Sequence, residues 1–98
     1  MSICKGEGGV IPRVNKNRLW QSHMDMAKIG ATNGGGVCRL ALSDEDKESR
    51  DLFVRWAQEA GCEVRTDKVG NIFARRRGEK SELPPVMTGS HLDTQPLG

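Results

Sequence analysis

Ser43–Arg75, SDEDKESRDLFVRWAQEAGCEVRTDKVGNIFAR, reads as one amphipathic helix followed by one β-hairpin. Ser43 is a natural N-cap, because its hydroxyl can accept from a free amide of the first turn, and Asp46 stands three residues on in a near relative of the capping box. Asp44, Glu45 and Asp46 set negative charge against the positive end of the helix dipole. Leu52, Phe53, Trp56, Ala57 and Ala60 recur at helical spacing and form the stripe expected to be buried, and Gly61 supplies the stop. Cys62–Thr66 then alternates apolar and charged residues as a half-buried strand does. Asp67–Asn71 (DKVGN) supplies the turn, and Ile72–Arg75 resumes the extended pattern.

Working upstream, Lys16–Ile29 has a second helical pattern. Leu19, His23 and Met26 share a face flanked by Trp20, Met24 and Ala27, and Gly30 closes the run. Asn33–Gly36 is a glycine turn, and Val37–Leu42 (VCRLAL) is a short apolar stretch interrupted by Arg39. Arg39 either anchors a carboxylate or pairs with an acid of the following helix. Met1–Asn15 carries Gly6, Gly8, Gly9 and Pro12 without apolar periodicity and reads as an irregular leader. Downstream, Arg77–Pro85 is a polar loop. Pro84 and Pro85 push the chain extended, and Val86–Thr88 is expected to be a short strand. The order of two helices, a hairpin and a strand is an α/β class in which helices cover a sheet. Its outer strands would be unpaired edges, so 16–98 reads as an incomplete domain.

Composition narrows the function classes. Ninety-eight residues hold one small domain. Fifteen basic and 13 acidic side chains leave a net charge of +2, a balance that argues neither for nor against a polyanionic partner. Arg75, Arg76 and Arg77 lack the wider basic face and stacking aromatics of a nucleic-acid surface and read as a solvated hairpin end. Gly34–Gly36 is not followed by a lysine at phosphate-loop spacing. Cys4, Cys38 and Cys62 have no paired spacing, and an odd count without an apolar leader reads as free thiols of a cytoplasmic protein. No stretch approaches a membrane span. A mean hydropathy of −0.57 argues against complete self-burial. An incomplete domain is also expected to expose apolar surface on helices and sheet, with dye binding or aggregation in isolation. His23 is read as a half-buried helix residue, since no carboxylate or cysteine accompanies it at ligand spacing.

The chemistry lies in Val86–Pro96, VMTGSHLDTQP. Ligand sites of α/β folds gather at strand C-termini, and residues two apart in an extended chain face the same side, so His91 and Asp93 can meet. A metal-binding imidazole needs its second nitrogen held, often by a carboxylate that fixes the tautomer and raises basicity. Gly89 and Ser90 leave room for close approach. The bare triplet His-x-Asp is common, and its alternative is a surface histidine beside a solvated aspartate.

GSHLDTQP resembles the first metal-ligand motif of the dinuclear-zinc amidohydrolases, a group related to zinc aminopeptidase-like peptidases. Within them it is similar to the N-carbamoyl-L-amino acid hydrolases, β-ureidopropionases and allantoate amidohydrolases. NKNRLWQSHMDMAKIGAT resembles their opening helix, and the stretch from Gly35 to Arg75 resembles their second helix and first hairpin, so the likeness runs from about Val14 to the chain end. It implies that 16–98 is the N-terminal part of an α/β/α catalytic domain. It also implies that His91 is a metal ligand and Asp93 the aspartate that orients it, in a site for two divalent ions, zinc or else manganese or cobalt. The family continues with a glycine pair, a bridging aspartate, a catalytic glutamate and further ligands, and these stand beyond Gly98. The same resemblance implies an N-carbamoyl or ureido small-molecule substrate, hydrolysis of a linear amide, a homodimer whose dimerisation domain is absent here, and no nucleic-acid or membrane partner. The 98 residues alone are expected to be inactive and to hold metal weakly. The alternative from another class is a non-catalytic α/β binding or interaction module, or a truncated product without independent function.

Overall fold

The computed structural model describes residues 11–96. They form α1 (Lys16–Ala27), α2 (Asp44–Glu59), β1 (Glu63–Thr66) and β2 (Ile72–Arg75) in chain order. The expected leader lies largely outside the described residues, and its last residue, Asn15, is the N-cap of α1, with a side-chain oxygen accepting from the Arg18 amide at 3.0 Å.

The first helix ends two residues before the expected Ile29. The Lys28 and Ile29 amides donate three residues back, to Asp25 O and Met26 O, which tightens the last turn. The chain then turns at Gly30, at φ +82°. The Cys38 amide donates to Gly30 O at 2.8 Å, and Ala31 bridges Val37 around the glycine turn. A Cβ on Gly30 would collide with the Cys38 carbonyl oxygen, so both dihedral and space demand glycine. Gly30→Ala is therefore expected to cost at least about 1–3 kcal/mol, read as a lower urea midpoint.

In α2 the Ser43 hydroxyl accepts from the Asp46 amide at 3.1 Å, as the capping pattern predicts. Asp46 reciprocates one residue earlier than a capping box would, accepting from the Leu42 amide at 3.1 Å. The helix lies across β1 and β2, which pair antiparallel in the register Glu63↔Arg75 to Thr66↔Ile72. Ala57 is buried and Leu52, Phe53 and Trp56 are half-buried, as the stripe requires. Ala60 departs from it. It is the C-cap, where the chain leaves the helix, and its methyl is exposed, while Val54 takes a half-buried place.

The hairpin turn is built around Asp67. Its carboxylate accepts from the amides of Val69 at 3.0 Å and Asn71 at 2.8 Å, and from the Asn71 side chain at 2.8 Å, while Gly70 takes φ +93°. The Asn71 side chain first, then these amides, hold the Asp67 carboxyl below its ordinary range. A depressed folded-state pKa means that the turn's contribution is present above the unfolded value, about 3.9, and is lost as pH falls through the folded one. Amide protection of Val69 and Asn71 is thus expected to hold at neutral pH and to fall below about pH 4. Asp67→Ala should remove this dependence and leave both amides poorly protected throughout.

Two expectations are corrected. Val86–Thr88 forms no strand: among the described residues no neighbour pairs with it, and a strand without a partner has nothing to satisfy its amides. Val86 is accordingly 101% exposed. Nor do both helices cover the sheet, since α1 is tied to the rest through the loops that follow it. No residue of α1 is buried, and Leu19, Trp20 and His23 stand exposed, so His23 is more open than a half-buried position. The buried apolar residues among those described are Ile29 and Ala57, beside buried Arg39, Asp46 and Ser49. Among the described residues, no helix is long and apolar enough to cross a membrane.

Candidate metal-ligand site

His91 and Asp93 meet as their spacing predicts, and the contact is double. The ring's Nδ1 lies 2.8 Å from the Asp93 backbone oxygen and 3.3 Å from the Asp93 carboxylate. A carbonyl oxygen can only accept, so Nδ1 carries the proton. In the neutral ring that leaves the lone pair on Nε2, one of the two ring nitrogens through which an imidazole can bind a metal. The imidazole is open, with side-chain exposures of 78% for His91 and 46% for Asp93.

An exposed loop holds such a geometry only if something else fixes its backbone. The residue that does so is Arg39, 7% exposed and the interruption in the apolar VCRLAL stretch. It takes neither of the roles its sequence context left open, because its partners are backbone carbonyls. Nη1 donates to Met26 O at 2.8 Å and to Ile29 O at 2.9 Å, and Nε donates to Leu92 O at 2.9 Å. The cation sits at the C-terminal end of α1, where unpaired carbonyls and the helix dipole favour positive charge.

Thr94 completes the join. Its amide donates to Arg39 O at 2.7 Å, and its hydroxyl accepts from the Arg39 amide at 2.8 Å. The hydroxyl proton faces the carbonyls of Val37 and Gln95 at 3.1 and 2.9 Å. The segment carrying His91 is therefore laced to the end of α1 and to Val37–Arg39. Sequence reasoning gave Thr94 no role. The one available signal for Arg39 was a charge inside an apolar run, which must find partners if it is buried.

Among the described residues, no group of three or more His, Cys, Asp and Glu converges as a metal centre. The donor set fits one ligand of such a centre, a tautomer-fixed imidazole, and falls short of the roughly three protein ligands of a catalytic zinc.

No family profile matches the chain. An N-carbamoyl-L-amino-acid amidohydrolase of Rhizobium meliloti is 51% identical over 86 residues, 88% of this chain and 21% of the relative. Allantoate amidohydrolase of Escherichia coli is 36% identical over 69 residues, 70% of this chain and 17% of that protein. The crystal structure of an amidase of the hydantoinase/carbamoylase family from Burkholderia multivorans superposes with a TM-score of 0.83 at 62% identity, covering 86% of this chain and 20% of that one. The chain thus spans about a fifth of the length of the curated relatives it matches. Over that fifth it is a homologue of the N-carbamoyl-L-amino-acid amidohydrolases and has the backbone of the N-terminal part of the hydantoinase/carbamoylase amidases.

Proposed function

We propose that this chain serves as the N-terminal segment of a metal-dependent hydrolase acting on linear amide C–N bonds of N-carbamoyl-L-amino acids or related ureido acids. The observation that carries the reading is the His91 ring, with its Nδ1 proton committed to Asp93 O at 2.8 Å and Nε2 left free. Each of the chain's own groups has a binding or orienting task. His91 Nε2 is the metal-ligating atom. The Asp93 carbonyl fixes the tautomer, and its carboxylate, 3.3 Å from the same nitrogen, balances charge drawn from the ring. Two divalent ions, when bound, would polarise water and the scissile carbonyl. Zinc is the first choice, with manganese or cobalt also suited to imidazole. Proton transfer belongs to no residue of this segment.

With this reading go a small-molecule substrate, a cytoplasmic setting, homodimeric assembly, and no part for nucleic acid or membrane. The basic run at the hairpin end is consistent with that, since Arg77 pairs with Glu63 at 3.1 Å.

The test is a hybrid in which this chain replaces the matching segment of the Rhizobium meliloti amidohydrolase. The hybrid is expected to release free amino acid from N-carbamoyl-L-amino acids in a metal-dependent way, while the 98-residue chain alone shows no turnover. A folded, metal-loaded hybrid without hydrolysis, or turnover by the isolated chain, would sink the reading.

A further inference from the structure

We infer that Arg39 is the positioning residue for the His91 imidazole, acting through the Asp93 peptide. This rests on reading His91 as a metal ligand. Asp93 is gripped on both sides by one residue. Before it, Leu92 O accepts from Arg39 Nε at 2.9 Å. After it, the Thr94 amide donates to Arg39 O at 2.7 Å and the Thr94 hydroxyl accepts from the Arg39 amide at 2.8 Å. With Leu92 O and Thr94 N both fixed, the Asp93 carbonyl between them has little freedom to rotate. That carbonyl is the nearest acceptor of the His91 Nδ1 proton. The other side of the guanidinium is anchored on Met26 O and Ile29 O, so the reference frame for the ring is the end of α1.

The side-chain half of this arrangement needs arginine. Nε and Nη1 of one rigid plane serve carbonyls of two different segments, whereas a lysine ammonium is a single point at the end of a flexible stem. The backbone half needs the Thr94 hydroxyl, which accepts the Arg39 amide proton. Each half can be removed separately.

The test reads the ring, without metal. In the 98-residue chain with 15N-labelled histidine, above the ordinary imidazole pKa, ring-nitrogen shifts are compared for wild type, Arg39→Lys and Thr94→Val. The wild-type ring is expected to be held as the Nδ1–H tautomer. Both variants should shift toward the Nε2–H form that dominates free histidine, while the α1 amide signals stay in place. A purely structural Arg39 would leave the tautomer unmoved. The inference is overturned if the variants keep the wild-type tautomer, or if the wild-type ring already behaves as free histidine. Should Arg39→Lys unfold the chain, the conservative Thr94→Val decides alone.

In the hybrid hydrolase, Arg39→Lys should weaken metal binding by about 10- to 100-fold, with activity restored by added zinc. A hybrid that loses activity on His91→Ala but ignores Arg39→Lys refutes the clamp and leaves the proposed function standing. A hybrid with no activity at all refutes that function, and the ring shifts still judge the clamp.

Discussion

In the hybrid hydrolase, His91→Ala is expected to lower kcat/KM by more than about 100-fold, beyond the 10- to 100-fold typical of losing a group that only orients a ligand. Metal content should fall with it. The fold should not respond. The ring is largely exposed, and the hydrogen bond and ion pair recorded for it are both to Asp93, two residues away. A substitution at such a position changes stability by about 0.5 kcal/mol or less. Urea unfolding and elemental analysis of one preparation therefore separate a ligand from a scaffold residue. Asp93→Asn is the comparator. It removes the carboxylate at 3.3 Å but keeps the carbonyl at 2.8 Å, so the tautomer survives and the loss should be smaller than for His91→Ala. Equal rates for the hybrid and its His91→Ala form, with metal retained, would exclude His91 as a ligand.

Why one part of this molecule was readable and another was not follows from the range of the interactions. α2 and the hairpin were legible because their determinants are local. Ser43 and Asp46 lie at the helix start, the apolar stripe recurs within the helix, and Asp67 with Gly70 and Asn71 specifies the turn within five residues. The pairing of His91 with Asp93 was legible for the same reason, as a two-residue relation. The third strand failed because pairing is non-local. Val86–Thr88 has the composition of a strand, but its amides need a neighbour that no described residue provides. The face of α1 shows the same limit, since periodicity says which residues share a side and nothing about what covers it. Arg39 and Thr94 are 55 positions apart, and nothing in either neighbourhood reveals that one hydroxyl meets one amide. What the sequence could show was the pairing of His91 with Asp93. The bonds that join their segment to the rest run through carbonyls, which have no residue type to read.

Removing the guanidinium tests that hidden part hardest. Arg39→Met, which keeps most of the stem volume, is expected to cost about 3 kcal/mol or more. Three carbonyls lose a charged donor at once, that of Ile29 in a buried bond and those of Met26 and Leu92 in part-buried ones. An abandoned acceptor costs about 1–3 kcal/mol where it is buried, as Ile29 O is, and less where water reaches it, against a total stability of about 5–15 kcal/mol for an ordinary domain. This chain has less in reserve than most, with Ile29 and Ala57 as the buried apolar residues among those described. The surface ion pairs cannot compensate. Lys28–Asp25 at the end of α1 and Lys47–Asp51 within α2 join exposed side chains, and such pairs contribute little. The urea midpoint of Arg39→Met should therefore collapse toward zero denaturant. Arg39→Lys should lie between it and wild type, because an ammonium still satisfies some of the carbonyls. Salt should move the wild-type midpoint little, since the bonds at stake are short and at least part-buried. An Arg39→Met chain melting with the wild-type midpoint would mean that these carbonyls find other partners, and that the segment bearing His91 is held by something other than the end of α1.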